Sequence, residues 1–503
     1  MGHFILWSWV FVPLTIYLCQ VTYNLFFHPL RKFPGPTLAG ATSLWRTYKE
    51  VVKKETLAQE LFVLHQKYGD IVRVAPNELH FGNPSSFHEI YSVSKRWDKD
   101  DGLYSVPGFK SGSFVFRKYS QAKERRDVLL PMFSRKAIQN IEGLVWQNAT
   151  QLASSISKMN AAHYSIDLLY AFRSFTLDTI MGFTFGGCVD ALHAPGFADP
   201  LILAMDATLP VLPVLKNIPW IRNFAFSIPP WLVMKAMPNA NKLAPRIYQV
   251  RDIINKQLNT VLHSPEKLDE ASHQTIFHRM LDANAYRKTQ TVPDLTQLHD
   301  EGFTIIFAGA NTVADTMLMG SYHAMQNLDL LRRLKQELLT VWPDLHVRPS
   351  LADLESLPLL TATIKESLRF IPSGVSLTRV VPRTGAVLAG REIPGGAIVG
   401  MAILHVHQSE KIFADALAFK PERWLNGGNK DLDHWLVPFS RGPRACFGYN
   451  LAWCELYIAF STMIRNFNMS LDGTTAEDME WRECIAAYYP NRHLHAWCQP
   501  VEA

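Results

Sequence analysis

The sequence predicts a mainly helical protein with small β-sheets, preceded by an apolar N-terminal segment. Long stretches with helical periodicity dominate residues 120–370, strand-like stretches are few and short, and residues 4–27 contain no charged side chain. The 503 residues are 48% hydrophobic and 12% aromatic, which excludes a disordered or collagen-like chain. The net charge of +5 is too small to indicate nucleic acid binding.

Apolar residues that repeat with the helical period, interrupted by few prolines, predict the main helices. They cover residues 120–133, 136–158, 164–186, 241–263, 295–325 and 327–341. Strands are predicted over residues 71–74, 78–81, 385–389 and 397–403. The last two strands flank a turn-rich connection from Gly390 to Gly396.

Residues 4–27 are predicted to form a transmembrane helix, because ~20 apolar residues suffice to span a bilayer core. Basic residues follow this stretch, beginning with Arg31 and Lys32, and none precede it. The positive-inside rule therefore places the N-terminus outside or in the lumen and the remaining chain in the cytosol. A cleaved signal peptide is the alternative, but the basic start and the small-residue cleavage site that it needs are missing.

The residues Phe33–Pro36 read Phe-Pro-Gly-Pro, which cannot continue a helix. They predict a stiff elbow between a membrane anchor with its basic flank, residues 1–32, and a single catalytic domain, residues 33–503, although an ordinary loop has the same composition. Residues 209–237 are apolar with five prolines. We expect them to form either a buried irregular connection or a surface loop that dips into lipid.

The most informative stretch is Phe439–Gly448, which reads Phe-Ser-Arg-Gly-Pro-Arg-Ala-Cys-Phe-Gly. Glycines let the backbone turn sharply and approach a flat ligand, and arginines before Cys446 favour a thiolate over a thiol. A structural buried cysteine is the other explanation for a single cysteine. The stretch therefore predicts a metal-ligating thiolate, presented just before an apolar helical run that begins at Leu451.

This pattern, Phe-x-x-Gly-x-Arg-x-Cys-x-Gly, closely resembles the haem-binding loop of the cytochrome P450 family. The resemblance implies haem b with its iron ligated by Cys446, and it places Phe439, Arg444 and Gly448 in the cofactor site. The resemblance extends over essentially the whole chain. In detail the sequence resembles fungal, membrane-bound members of the family that act in secondary metabolism, such as the trichodiene oxygenase type. The implied fold is the cytochrome P450 fold, and the implied reaction is a monooxygenation.

Two further segments support the resemblance. Glu366 and Arg369 lie three residues apart on a predicted helix, and Arg423 follows in a Pro-Glu-Arg segment. In the family, the corresponding residues form one buried ion network that braces the haem side of the core. An ordinary surface pair is the alternative for the first two residues.

The segment Ala308–Thr312, Ala-Gly-Ala-Asn-Thr, resembles the family's oxygen-binding groove, with Thr312 and Asn311 in the catalytic positions. Helix packing through small residues is the alternative. Asn311 departs from the family pattern, which has an acid there, and an amide cannot deliver a proton by ionising. Thr312 keeps the hydroxyl that relays protons.

The resemblance also assigns haem propionate partners beyond Arg444. Arg126 matches the arginine of the family's aromatic-x-x-x-Arg helix, but Ala122 replaces the aromatic residue, so one hydrogen bond is missing or replaced. Arg379 is expected to be a third cationic partner, and His407 is a further candidate. Each arginine taken singly is equally compatible with an exposed position.

Apolar residues near these motifs are candidates for the substrate pocket, and core packing is the alternative for each. They are Phe114, Val115, Phe116, Ile305, Phe307, Ala308, Val375, Leu377, Tyr488 and Tyr489. None is charged, which favours a lipophilic small molecule such as a terpenoid or a polyketide-like compound. The implied reaction is hydroxylation or epoxidation.

The sequence has no Gly-x-Gly-x-x-Gly motif for a nicotinamide or flavin cofactor, so electrons are expected from a separate NADPH-cytochrome P450 reductase at the endoplasmic reticulum membrane. A basic segment is the candidate docking site, although a solvated helix face is the alternative. Its cations are Lys110, Arg117, Lys118, Lys123, Arg125, Arg126, Arg135 and Lys136. Asn311 also motivates a different function, that of a haem-thiolate isomerase or dehydratase that needs no reductase. A haem sensor without catalysis is disfavoured by the Thr312 groove.

Overall fold

Helices make up most of the chain. The computed structural model describes residues 2–501 apart from 107, 229–231, 233–243, 288–289, 373–374 and 426–430, and for residues 2–10, 244–249 and 267 it describes the backbone only. The α-helices are α1 Gly2–Phe26, α2 Thr37–Ala41, α3 Leu44–Thr47, α4 Leu57–Tyr68, α5 Ser85–Ile90, α6 Asp101–Tyr104, α7 Tyr119–Leu129, α8 Arg135–Asn140, α9 Glu142–Ala161, α10 Leu168–Phe185, α11 Pro200–Thr208, α12 Leu212–Asn217, α13 Pro219–Ser227, α14 Ala244–His263, α15 Glu266–Asp269, α16 Ile276–Leu281, α17 Leu295–Gln326, α18 Leu328–Val341, α19 Leu351–Glu355, α20 Pro358–Arg369, α21 Ile403–His407, α22 Asp431–Trp435 and α23 Tyr449–Asn466.

The strands are short. They are β1 Ile71–Ala75, β2 Glu78–Phe81, β3 Ile166–Asp167, β4 Arg379–Val380, β5 Ala386–Leu388, β6 Arg391–Ile393, β7 Ile398–Gly400, β8 Phe467–Leu471, β9 Arg482–Cys484, β10 Ala486–Tyr488 and β11 His495–Pro500. The largest sheet has the order β1-β2-β7-β4, with β2 and β7 parallel and the other pairs antiparallel. A second sheet has the order β3-β11-β8, and β5-β6 and β9-β10 form two-stranded sheets.

The core is built around α17, which is 32 residues and therefore about 48 Å long. It packs against α10 at Gly309, where a Cβ atom would come within 2.6 Å of the Ile180 side chain. Thr176 of α10 donates a hydrogen bond to the carbonyl of Ala310 at 2.7 Å. These contacts hold the middle of α17 at a fixed distance from α10.

The helix predictions are confirmed over the described residues, with three differences in extent. The predicted helix over residues 164–186 begins as α10 at Leu168, because Ile166 and Asp167 form β3 and Asp167 caps the helix. The predicted helix over residues 120–133 ends as α7 at Leu129, because Pro131 starts a short 3-10 turn over Leu130–Phe133. The predicted helix over residues 136–158 is divided by Ile141 into α8 and α9.

The strands predicted over residues 385–389 and 397–403 do not pair with each other. The first contains β5, which pairs with β6 inside the supposed connection, with Leu388 opposite Arg391. The second contains β7, which joins the larger sheet between β2 and β4. The Gly390 turn, at a φ of +69°, closes a tighter hairpin than the sequence pattern indicated.

The N-terminal helix α1 is tied to the remaining chain at its base. Arg73 of β1 is buried and donates to the carbonyl of Asn24 at 3.0 Å, and the Asn24 amide donates to the carbonyl of Ala41 at 2.8 Å. The Arg73 backbone N–H donates to the carbonyl of Pro34 at 2.7 Å. A Cβ atom on Gly35 would lie 2.3 Å from the Arg73 carbonyl oxygen, so the Phe-Pro-Gly-Pro turn fits closely against β1.

The apolar segment 209–237 divides into two parts over its described residues. Leu209 and Leu215 are buried, as a connection in the core would be. Trp220 and Phe224 of α13 are 71% and 66% exposed, as a lipid-facing surface would be. Residues 229–231 and 233–237 lie outside the described residues.

Candidate functional site

The loop around Cys446 is shaped by a left-handed turn and a close approach to a neighbouring segment. Gly442 has a φ of +72°, and a Cβ atom there would lie 2.4 Å from the carbonyl oxygen of Tyr91, so only glycine fits. The Cys446 N–H donates to the carbonyl of Phe439 at 2.9 Å, which closes the loop just before α23 begins at Tyr449. The Phe439 ring packs edge-on against the ring of Tyr449.

Two kinds of electrostatic effect act in opposite directions on the pKa of the Cys446 thiol. Its side chain is exposed, while the protein surrounding it raises the pKa of the thiol through desolvation. A hydrogen bond from the Gly448 backbone and the charge of Arg126 act in the opposite direction and favour the thiolate. Because a bound metal ion deprotonates a coordinating thiol, this loop suits a thiolate that forms on metal binding.

Ala308 and Thr312 are exposed, whereas the other residues between positions 302 and 325 of α17 are buried or half-buried. They are four residues apart and therefore share one face of the helix. The Thr312 hydroxyl donates to the Ala308 carbonyl at 3.1 Å. Asn311 is buried beside this face, and its amide donates to the Phe307 carbonyl at 3.0 Å. The exposed face has room for a ligand, whereas Asn311 is occupied by its own helix.

The structure brings Glu366, Arg369 and Arg423 together. Glu366 accepts from Arg369 at 2.7 and 3.0 Å and from Arg423 at 3.1 Å, and Glu366 and Arg369 are fully buried. Trp424 also donates to Glu366, at 2.8 Å. Arg369 donates in addition to the carbonyl of His407 at 2.7 Å. One carboxylate thus holds α20 to the segment that carries the Pro-Glu-Arg residues.

His407 lies next to this ion network. Its Nε2 accepts the backbone N–H of Val437 at 2.9 Å, and burial, together with the charge of Arg369, lowers the pKa of the imidazole to about 3. The ring is therefore neutral, and its described contacts are with the network rather than with the cations near Cys446.

Arg126, Arg379 and Arg444 are joined by a fourth cation, Lys99, in one cluster near the Cys446 loop. Arg126 donates to the carbonyl of Ala445 at 2.6 Å, Arg444 to that of Phe116 at 3.0 Å, and Arg379 to that of Thr378 at 2.8 Å. Within the described part of the chain, none of the four forms an ion pair with a carboxylate, and Arg444 Nε is buried without a partner.

The charges in this cluster repel one another. Burial, followed by the charge of Arg379, lowers the pKa of Arg444 to about 10, and burial followed by Arg379 and Arg444 lowers the pKa of Lys99 well below its usual value. Buried cations persist when an anion compensates them. The two carboxylates of a haem supply that compensation, so the residues present fit the group that the resemblance implies.

Lys99 was missed by sequence reasoning. Its Nζ atom donates to the carbonyl of Phe114 at 2.6 Å and lies 4.1 Å above the ring of Tyr104. Position 99 belongs to no motif, and a lysine in a charged segment is ordinarily exposed. Only the fold shows that its side chain enters the cluster.

The predicted substrate-pocket residues are only partly gathered. Phe114, Val375 and Leu377 form one apolar cluster with Leu103, Tyr104 and Ile485. Ile485, which the sequence did not single out, lies at the turn between β9 and β10 with a φ of +71°. A β-branched residue at positive φ is strained, and such strain is concentrated at functional sites.

The other pocket candidates lie elsewhere. Ile305 and Tyr489 are buried in the main core, and Phe307 packs against it. The ring of Phe116 lies beside Arg125, next to the cation cluster. Tyr488 lies half-buried near Asp206 and Arg482, and burial raises the pKa of its phenol. Val115 is buried and Ala308 exposed.

Three histidines, His65, His80 and His405, also converge, and their ring nitrogens are close enough to be compared with a metal site. His65 Nδ1 contacts the Gly69 carbonyl at 2.7 Å, and His80 Nε2 accepts the Ala402 N–H at 3.0 Å. His80 must therefore carry its proton on Nδ1 and donate it to His65 Nε2, 2.7 Å away. The ring nitrogens of His65 and His80 that face each other are joined by a hydrogen bond and are not free to ligate a metal ion. The three histidines therefore form a neutral hydrogen-bonded cluster.

The comparisons agree with this geometry. The family model "Cytochrome P450" matches residues 36–493, which is most of the chain. The Cys446 loop before a helix, the exposed Ala308 and Thr312 of α17, and a cation cluster without carboxylate partners among the described residues fit a protein of this family. The chain belongs to the cytochrome P450 family and is a monooxygenase, an oxidoreductase; this family holds a haem iron through a cysteine thiolate.

Its curated relatives are fungal. The cytochrome P450 monooxygenase macH of Penicillium terrestre is 32% identical over 478 residues, which cover 93% of this chain and 92% of that protein. The cytochrome P450 monooxygenase flvC of Aspergillus flavus is 31% identical over 511 residues, covering 94% and 93%. The conidiogenone synthase PchP450 of Penicillium rubens is 31% identical over 464 residues, covering 91% of each chain.

Proposed function

We propose that the protein hydroxylates or epoxidises a lipophilic small molecule, terpenoid or polyketide-like, in secondary metabolite biosynthesis. The observation that carries the proposal is the uncharged cluster of Phe114, Val375, Leu377 and Ile485, described above. Apolar lining selects apolar ligands, with few polar groups to orient them. The fungal relatives support the setting, and one bears the name of a synthase, conidiogenone synthase.

The cofactor in this proposal is haem b, which Cys446 would hold through its thiolate. When bound, the haem would supply the oxygen-activating chemistry. Arg126, Arg379 and Arg444 hold the propionates by charge. Phe439 and Gly448 shape the loop on the thiolate side.

Thr312 and Asn311 have separate roles in this proposal. Thr312 presents its hydroxyl on the exposed face of α17, where it would pass a proton into the groove. Asn311 cannot ionise, and its amide donates to its own helix, so it positions the groove without supplying a proton. The ion network of Glu366, Arg369 and Arg423 braces the core beneath the loop.

The decisive test of the cofactor is the carbon monoxide difference spectrum of the reduced protein. Wild-type protein is expected to show the Soret shift of a thiolate-ligated haem, and Cys446→Ala is expected to lose it. Survival of the shift in Cys446→Ala would contradict the proposal. Product formation with and without reductase and NADPH then separates the monooxygenase from a reductase-independent isomerase or dehydratase, which turns over without either.

We further propose that an NADPH-cytochrome P450 reductase docks on the basic surface between Lys110 and Lys136. Of its eight cations, Arg125 is buried against Glu301 and Arg126 is half-buried, which leaves six exposed. Several of these contact carboxylates, as Lys118 contacts Asp98, but exposed ion pairs are weak and leave the charges available.

Charge reversal tests this docking surface. Lys118→Glu combined with Lys123→Glu is expected to weaken reductase affinity at low salt, with less effect at high salt because charges are screened. Lys158→Glu, an exposed lysine on α9, is the matched control. Equal affinity of the double variant and the control would contradict the docking site.

We also propose that residues 1–32 anchor the protein in the endoplasmic reticulum membrane by a single pass, with the catalytic domain, residues 33–503, in the cytosol. Helix α1 has 25 residues, about 37 Å, against ~30 Å for a bilayer core. Its described apolar side chains are largely exposed, including Phe11, Ile16 and Phe26. Among the described residues, Pro195–Asn217 and Leu295–Gln326 also have sufficient length and apolarity, but the second is the core helix α17.

A second membrane contact is proposed at Trp220 and Phe224, whose exposed rings suit an interface. Deletion of residues 1–27 is expected to leave residual binding to phospholipid vesicles. Trp220→Ser with Phe224→Ser in the deleted protein is expected to abolish it, whereas Tyr164→Ser, another exposed aromatic residue, is not. Complete release by the deletion alone would contradict the second contact.

A further inference from the structure

A buried charged cluster lies one turn beyond the oxygen groove of α17. Asp315 is four residues after Asn311, so the two share a face of the helix, and it is three residues after Thr312. Its neighbours are Arg173 of α10, whose Nη2 is 3.8 Å from the Asp315 carboxylate, and Asp206 of α11, which accepts from Arg173 at 2.7 Å. Tyr489, directly after β10, faces the same cluster.

The polar atoms of this cluster are incompletely satisfied. Among the described residues, Asp315 Oδ1, the Tyr489 hydroxyl, and Nε and Nη2 of Arg173 have no hydrogen-bond partner. All three side chains are at least nine-tenths buried. Buried polar groups are almost always hydrogen-bonded to protein or ordered water. Four such atoms in one place indicate a solvated polar space within the protein.

The cluster also connects with the surface. The Asp206 side chain keeps 15% of its exposure, whereas those of Arg173 and Asp315 keep 3% and 5%. The guanidinium stays protonated and cannot pass a proton on. Arg173 lies between the carboxylates of Asp206 and Asp315, so the cluster has one more acidic group than it has cations.

We propose that Asp315 supplies protons to the Thr312 groove, recharged from solvent through Asp206, and so replaces the acid that is missing at position 311. This inference rests on the proposed monooxygenase function. It makes Asp315 a positioning residue that acts through Thr312. The same burial that isolates Asp315, reinforced by Asp206 and opposed by Arg173, raises its pKa to about 7, which suits a group that must both give and regain a proton near neutral pH.

The proton balance is closed. A monooxygenation consumes the substrate, one dioxygen, two electrons from the reductase and two protons, and yields the oxygenated product and one water. Asp315 gives up its carboxyl proton toward Thr312, and its carboxylate takes up a proton that enters from solvent at Asp206. Two such cycles supply both protons and leave Asp315 as it began.

The test uses the full-length holoenzyme with a reductase and NADPH, without added substrate. Asp315→Asn is expected to slow NADPH oxidation by about a hundredfold, the usual contribution of a positioned proton donor, and to raise the solvent deuterium isotope effect. The double variant Asn311→Asp with Asp315→Asn, which restores an acid one turn earlier, is expected to recover most of the rate. Infrared spectra should contain a carboxylic acid band that titrates near pH 7 and is missing in Asp315→Asn.

Glu455→Gln is the matched control. Glu455 is another buried carboxyl, on α23, whose pKa is raised well above the usual value by burial, so the exchange replaces one neutral side chain with another. It should leave the oxidation rate unchanged. Asp315→Asn with an unaltered rate and isotope effect, or a slow Asp315→Asn that Asn311→Asp does not rescue despite a normal carbon monoxide spectrum, would overturn the proposal. A wild-type protein without reductase-dependent oxidation would overturn the proposed function, and this inference with it.

Discussion

Lys99 is a buried cation whose hydrogen bond goes to a neutral backbone carbonyl, that of Phe114. Around it, Arg126, Arg379 and Arg444 add three more positive charges without a carboxylate partner among the described residues. Such a cluster of cations destabilises the folded protein until an anion binds, because like charges in a medium of low polarity repel strongly. We therefore propose that the cluster binds an anionic ligand, such as the two carboxylates of a haem.

Replacement of Lys99 with methionine is expected to weaken haem retention. The change removes the charge-assisted hydrogen bond that Lys99 would donate to a haem carboxylate, which is worth about 1.5–3 kcal/mol. Haem should therefore transfer about 10- to 100-fold faster to an excess of a haem-free acceptor protein. Lys118→Met, an exposed lysine nearby, is the control and should transfer at the wild-type rate. Equal rates for both variants would show that Lys99 does not contact the cofactor.

Glu366 is the second residue with a sharp expectation. Glu366→Gln removes the charge that compensates Arg369 and Arg423, and breaking a buried pair costs about 3–5 kcal/mol. The melting temperature of the holoenzyme, followed by calorimetry, should fall markedly. Glu422→Gln, an exposed neighbour paired with Arg333, should cost less than about 1 kcal/mol. Similar melting temperatures for the two variants would contradict a buried network.

Residues in short motifs could be anticipated from sequence, and residues outside motifs could not. Cys446, Glu366 and Arg369 occur at spacings that are dictated by a loop or by one turn of helix, so local order carries the information. Lys99 and Ile485 reach their neighbours through the fold of distant segments, and nothing within a few residues of either position indicates that. Long-range placement depends on the packing of the whole chain.

At the scale of elements, α17 and α10 meet through small side chains. Gly309 allows the approach, since its missing Cβ atom makes room for Ile180. The oxygen groove and the cluster of Asp315 both depend on this contact, because Gly309 lies within the groove and Asp315 follows it six residues later on α17.

Gly309→Ala is therefore expected to destabilise the protein by about 1–3 kcal/mol, the usual cost of overpacking a core. Gly143→Ala on α9 is the control, because a Cβ atom there would meet nothing within 4 Å, and alanine should be neutral or stabilising by about 0.5–1 kcal/mol. Calorimetry compares the two. In an Ile180→Ala background, which lacks the Cγ1 atom that would lie 2.6 Å from the added Cβ, Gly309→Ala should cost less, and an unchanged cost would assign the effect to another contact.

The long helices were foreseeable because their periodicity extends over several turns. Of the short strands, β1 and β2 were predicted from the sequence, but the pairing of β5 with β6 was not, because each is only three residues long and its register depends on tertiary contacts. The apolar pattern is also an incomplete guide to where a helix ends. It continues past Pro131, but the helix ends at Leu129 because the proline starts a 3-10 turn.

At the scale of the whole molecule, several buried imidazoles are neutral. Burial, followed by the charges of its neighbours, lowers the pKa of His80 well below its usual value and that of His405 to about 3, and burial also lowers the pKa of His65. The unfolded chain protonates these rings near pH 6.5, so it binds more protons than the folded chain below that pH. Stability is then complete above pH 6.5 and is lost as pH falls toward the folded-state values.

The free energy of unfolding is accordingly expected to fall steadily between pH 6.5 and 4.5, by up to about 1.4 kcal/mol per pH unit for each such ring. The melting temperature, measured across this pH range, should fall with it. His405→Phe keeps the stacking on Phe62, where the ring centroids are 3.9 Å apart, and removes one titrating group. Its stability should depend less steeply on pH. An identical slope in the variant would show that His405 does not contribute.

The tie between Arg73, Asn24 and Pro34 has a mechanical consequence. Because the base of α1 is hydrogen-bonded to β1 and the turn between them fits against the same strand, the orientation of α1 relative to the remaining chain is fixed at its base. If α1 spans a bilayer, as we propose, these hydrogen bonds set the height and tilt of the catalytic domain above it. A longer or shorter α1 would then raise or lower the whole enzyme relative to the membrane, together with the side from which a membrane-dissolved molecule enters.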